Sequence, residues 1–100
     1  MPAMDGIGPE VRLHAVVHGF VQGVGFRYFV CHRTRAGGLR GWVRNRADGS
    51  VECLAEGPRP RLEDLVGELR RGPRSADVGE VRVDWQAARG DLPAEFHVTA

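Results

Sequence analysis

From Val11 to His18 the chain reads Val-Arg-Leu-His-Ala-Val-Val-His, a period of two that sets Val11, Leu13, Ala15 and Val17 on one face. That alternation predicts a strand lying with one side against a core. Val16 is its one apolar residue out of phase. After a glycine-rich break the period lengthens: Phe26, Phe29 and Val30 form a helical stripe, predicting a helix from Phe26 to about Ala36 that ends at Gly37-Gly38. Leu39 to Arg46 and Val51 to Glu56 return to a strand pattern, the second with Val51, Cys53 and Ala55 on one face. Between them Ala47-Asp48-Gly49-Ser50 signals a hairpin, because Asp-Gly accepts the positive φ of a tight turn. Leu62, Leu65, Val66 and Leu69 fall at i, i+3, i+4 and i+7, the clearest amphipathic helix in the chain. Pro58-Arg59-Pro60 opens it and Gly72-Pro73 stops it. Val81, Val83 and Trp85 mark a fourth strand, and Phe96-His97-Val98 a short fifth at an edge.

The order β-α-β-β-α-β predicts an α+β, ferredoxin-like split βαβ fold: an antiparallel sheet with two helices on one face. In that arrangement the strand after the first helix is expected to return beside the first strand. One hundred residues with 42% hydrophobic content suit a single core over residues 11–100. Met1 to Glu10, with two prolines, two glycines and no period, reads as a flexible tail. The tail has neither the basic nor the apolar stretch of a signal peptide, and no run approaches the ~18 apolar residues of a membrane span. The expectation is a cytoplasmic protein without a membrane partner.

All fourteen basic side chains are arginine, which fits GC-rich coding, and thirteen acids offset them to a net charge of +1. Such a balance argues against a nucleic-acid surface. Cys31 and Cys53 form no Cys-x-x-Cys pair and read as reduced thiols, with Cys31 in helix packing. His14 and His32 have no partner at metal-ligand spacing, and His18 reads as an outward strand residue. No metal and no cofactor are expected.

Two segments carry chemistry. The first is Gly19-Phe20-Val21-Gln22-Gly23-Val24-Gly25-Phe26-Arg27. Its glycines let several N–H groups converge on one point, and it runs into a helix N-terminus, which attracts anions. Arg27 adds a guanidinium that can clamp a phosphate in bidentate fashion. As a cation in the first helical turn it opposes the helix dipole, a poor choice for stability alone. The run lacks the Gly-Lys-Ser/Thr ending of a nucleotide P-loop, so a small phosphoryl or carboxylate group fits it better. Phe26 reads as core and Tyr28 as a pocket-mouth residue. The second segment is Gly41-Trp42-Val43-Arg44-Asn45, followed by Gly49, Val51 and Gly57. An asparagine beside a hairpin is ordinarily turn chemistry. Here its strand is expected to end near the glycine loop, where an amide can hold a water against a bound electrophile. Trp42 reads as a cover for the outer face of the sheet.

Together the two segments resemble the acylphosphatase family, whose patterns are matched in full by Gly19 to Arg27 and by Gly41 to Gly57. The resemblance implies hydrolysis of carboxyl-phosphate anhydrides to a carboxylate and inorganic phosphate, without metal or cofactor. It implies that residues 19–27 and Arg27 hold the phosphoryl oxygens and that Asn45 places the attacking water. The implied partners are a small acyl phosphate, with phosphate or another small anion as product or inhibitor, and a monomer is expected. Two other readings fit less well. Carbamoyl-phosphate-handling domains of hydrogenase-maturation proteins share both motifs but occur in much longer chains with zinc-finger cysteines. An RNA-recognition domain would carry aromatics on its central strands, whereas Val51 to Glu56 has none and carries two acids.

Overall fold

The computed structural model describes residues 9–100. The elements are β1 (Glu10–Phe20), α1 (Phe26–Ala36), β2 (Arg40–Asn45), β3 (Val51–Pro58), α2 (Arg59–Arg71), β4 (Asp77–Ala87) and β5 (His97–Val98). This is the βαββαβ order read from the sequence, with the short fifth strand present. β1 begins at Glu10, so the strand takes in the last residue of the expected tail; residues 1–8 lie outside the described residues. β4 is longer than its three marker residues suggested, because its pairing with β1 continues past a bulge at His18/Gly19 to Phe20↔Asp77.

The sheet order is β4-β1-β3-β2-β5. β1 pairs antiparallel with both β3 and β4, β3 pairs antiparallel with β2, and β5 joins β2 in parallel. The sheet is thus antiparallel but for its last edge. One expectation is corrected here: β2 does not lie beside β1, because β3 stands between them. The split βαβ unit leaves a gap of one strand after its first crossover, and the hairpin returns β3 into that gap. The consequence sought from adjacency survives by another route. Two antiparallel steps make β1 and β2 parallel, so both finish at the same end of the sheet. The row Val17–Val51–Asn45 fixes the register at that end.

Residues directly opposite one another across strands share a face. Leu13, Ala15, Val17, Val43, Val51, Cys53 and Ala55 are buried on the face that carries the helices, where Phe26, Val30, Leu62, Leu65, Val66 and Leu69 meet them. Phe96, just before β5, is also completely buried. Phe29 only packs against the edge of this core, its ring covered by the Arg33 guanidinium 5.1 Å away. The other face carries Arg12, His14, Arg44, Glu52 and Glu56, with Trp42 opposite Leu54 and under the Arg44 guanidinium at 5.4 Å. Asn45, opposite Val51, belongs to the helix-bearing face.

Gly41 shows what the second segment's glycines do. It has φ +142°, and a Cβ there would sit 1.9 Å from the Leu54 carbonyl oxygen. A side chain at Gly57 would meet Leu39 at 2.4 Å. These glycines let β2 and the residue before it close on β3, and only Asn45 of that segment lines the cleft described next.

Candidate active site

β1 ends at Phe20, and residues 21–25 form an irregular loop before α1. Gly25 takes the N-cap position in a left-handed conformation, φ +80°, with no side-chain cap on the helix. A helix without a side-chain cap leaves its first N–H groups for another acceptor. Among the described residues, the backbone N–H groups of residues 22–28 have no protein acceptor. The loop is held by its own outward contacts. The Gln22 side-chain amide donates to the Arg46 carbonyl at 2.8 Å and to the Ser50 carbonyl at 2.9 Å, tying the loop to the β2–β3 hairpin. The Ser75 hydroxyl donates to the Val24 carbonyl at 2.8 Å from the far side. The hairpin is itself set by Asp48, whose carboxylate accepts from the Ser50 N–H and hydroxyl, an arrangement that lowers its pKa.

A cleft of about 480 Å³ opens above this loop. Val21, Gly23, Gly25, Phe26 and Arg27 line it from the loop and helix start, Asn45 from the end of β2, and Tyr28, Cys31, Arg35 and Val98 complete it. Arg27 and Asn45 are therefore brought to one cavity. Among the described residues the buried Oδ1 of Asn45 has no hydrogen-bond partner. A buried acceptor left unpaired costs about 1–3 kcal/mol, so it is seldom kept for stability. Among the described residues no carboxylate lines the cleft, and neither Arg27 nor Arg35 pairs with an acid. The electrostatic character is cationic, from two guanidiniums and the free amides of a helix N-terminus.

The remaining residues of the first segment fall outside the cleft lining. Gly19 and Phe20 belong to β1, paired with Val78 and Asp77, and Phe20 is exposed. Gln22 and Val24 act as the loop's two anchors. Cys31 lines the cleft but is buried; burial pushes its thiol pKa up against the opposing pull of the Arg35 charge. Burial raises the Cys53 thiol further, to about 12. Neither thiol is an activated nucleophile. The sequence reading named Tyr28 for the pocket mouth, where the structure puts it with its ring largely exposed. It did not name Arg35 or Val98. A signal for Arg35 was present: Arg27, Cys31 and Arg35 are spaced i, i+4, i+8 on one helical face.

The acylphosphatase family model matches residues 13–98. The chain belongs to the acylphosphatase family. It is 56% identical over 83 residues to the acylphosphatase of Koribacter versatilis, covering 83% of this chain and 74% of that one. It is 52% identical over 81 residues to the acylphosphatase of Moorella thermoacetica, covering 81% of this chain and 87% of that one. The crystal structure of acylphosphatase from Bacillus subtilis superposes with a TM-score of 0.85 at 37% identity, over 90% of this chain and 99% of that chain. Family membership makes the chain an enzyme of the acylphosphatase type, acting on acyl phosphates. Among the described residues no helix is long and apolar enough to cross a membrane.

Proposed function

We propose that the cleft hydrolyses a small acyl phosphate by direct attack of water on phosphorus, with Arg27 and the loop amides binding the phosphoryl group and Asn45 placing the water. The observation that carries this reading is the unpartnered Asn45 Oδ1 in the same cleft as Arg27 and the unpaired amides of the loop. Phosphoryl transfer asks mainly for positioning and for stabilisation of charge on the phosphoryl oxygens. Arg27 and the N–H groups supply both for those oxygens, in a site whose donors are already oriented. The Asn45 carboxamide oxygen accepts a hydrogen bond from water and turns its lone pair toward phosphorus.

The water oxygen forms a bond to phosphorus as the bond from phosphorus to the acyl oxygen breaks, and the acyl group leaves as a carboxylate. Neither Arg27 nor Asn45 can take the water's proton. It passes to a phosphoryl oxygen, giving dihydrogen phosphate. Among the described residues the cleft lining offers neither carboxylate nor imidazole for a metal ion, and the reading needs none.

Benzoyl phosphate hydrolysis measured with and without EDTA tests the route. Turnover well above the spontaneous rate and unchanged by chelation is expected; loss of turnover on chelation would overturn the metal-free reading. In the Asn45→Ala enzyme kcat falls about a hundredfold with KM and phosphate inhibition little changed. A variant keeping half of kcat would remove Asn45 from water positioning.

A further inference from the structure

We infer that Arg35 makes the enzyme prefer acyl phosphates whose acyl group carries a second negative charge at its far end. The inference rests on the proposed placement of the phosphoryl group at Arg27, and it names the substrate class that this placement leaves open. Arg27, Cys31 and Arg35 occupy successive turns of one face of α1, and all three line the same cleft. Eight residues of helix separate the two arginine Cα atoms by about 12 Å. The cleft therefore has two cationic ends, with Cys31 and the exposed Val98 and Tyr28 between or beside them.

An ordinary explanation of Arg35 is that it neutralises the C-terminal end of the helix dipole, where it stands in the last turn. Two features go beyond that role. Its Nε donates to the Phe96 carbonyl at 3.0 Å, which fixes the planar guanidinium and leaves its two terminal NH2 groups for another acceptor. Among the described residues it has no acidic partner, although Arg33, in the same last turn, pairs with Glu68. A guanidinium already held by one hydrogen bond loses less freedom when it takes up a ligand. Among the described residues no carboxylate lines the cleft, so none there repels a substrate that is anionic at both ends.

The test compares 4-carboxybenzoyl phosphate with its neutral isostere 4-carbamoylbenzoyl phosphate, rigid pairs of equal length that differ in one charge. The native enzyme is expected to favour the carboxylate by about tenfold in kcat/KM, through KM, with the preference shrinking as salt rises. Arg35→Gln brings the ratio close to one, Arg35→Lys keeps most of it, and Arg33→Gln on the exposed face leaves it as in the native enzyme. A structural role alone would lower the melting temperature of Arg35→Gln without moving the ratio. The inference is overturned if the native enzyme shows no preference, or if Arg35→Gln retains it; the native measurement and its salt dependence decide even if that variant does not fold. Benzoyl phosphate turnover alongside separates the two readings. If benzoyl phosphate is hydrolysed but the charge is ignored, Arg35 fails and the site reading stands; if none of the three is hydrolysed, both fall.

Discussion

The two faces of this sheet treat buried polar groups in opposite ways. On the open face Glu56 is completely buried, yet its carboxylate accepts from the Arg12 Nε at 2.7 Å and from the Arg89 and Gly90 backbone N–H groups at 2.8 and 3.1 Å. Arg12 also bonds Asp91, so the pair fastens the segment after β4 across the sheet. Nearby Glu52 is shared between His14 and Arg44, each at 2.7 Å. At the cleft end of the other face, among the described residues, Asn45 Oδ1 and the loop amides stand without protein partners, and the two guanidiniums have no acidic one. Satisfied polar groups specify a structure. Unsatisfied ones hold a preorganised place for something else, at a cost in stability that the rest of the fold must cover.

The comparison can be broken from either side. The largest effect is expected from Arg27→Gln, which should lower kcat/KM for benzoyl phosphate by about a thousandfold or more and abolish inhibition by phosphate. Its unfolding free energy should stay near that of the native protein, since Arg27 has no acidic partner to abandon. Glu56→Ala should do the reverse. Removing one member of a buried pair strands the other's charge and costs about 3–5 kcal/mol, read as a lower urea midpoint. Activity measured under conditions where this variant remains folded should be kept. A large loss of activity in both variants with equal loss of stability would erase the distinction between the faces.

A pH series sharpens the same point. Burial pushes the Glu56 carboxyl up, but the Arg89 N–H, the Arg12 guanidinium and the Gly90 N–H outweigh it and hold the pKa below its usual value. Glu52 is likewise lowered: burial opposes, and the His14 and Arg44 hydrogen bonds prevail. A depressed carboxyl contributes stability above its unfolded pKa of about 4.3 and loses it as pH falls through the lower folded value. Native unfolding free energy should therefore drop below about pH 4, and Glu56→Gln should drop less steeply. Identical acid limbs would show that this carboxylate is not perturbed. The smallest effect belongs to Asn45→Ala, whose stability should be unchanged or higher by up to about 1 kcal/mol, because it removes an acceptor already unpaired. A destabilisation of 2 kcal/mol or more would mean that the amide is bonded after all (about twice the net worth of one hydrogen bond).

Much of this was legible in the chain itself. Period-two and period-3.6 patterns gave element order and the core face directly, since Leu13, Ala15 and Val17, and Leu62, Leu65 and Leu69, are buried as their spacing requires. Val16 was out of phase because the open face is not fully solvent-exposed, and it too is buried there. The pairing of β2 was misjudged, because strand neighbours depend on where the hairpin returns and no local pattern records that. Gln22, within the glycine segment, proved to be an anchor to the hairpin; its role depends on carbonyls at positions 46 and 50, which no local motif connects to it.

By itself, then, the sequence determined the local facts: which residues form strands and helices, which face is apolar, and that a glycine loop leads into an uncapped helix beginning with Phe26-Arg27. Both family motifs were equally complete in one dimension. Only the tertiary structure decided that Asn45 and Arg27 share a cleft, that Arg35 and Val98 line it too, and that Glu56 is satisfied while Asn45 Oδ1 is not. The physical reason is range. Propensity and periodicity act over a few residues, whereas a binding site is made of groups far apart in the chain. Those groups meet only after sheet register and helix packing have fixed their distances.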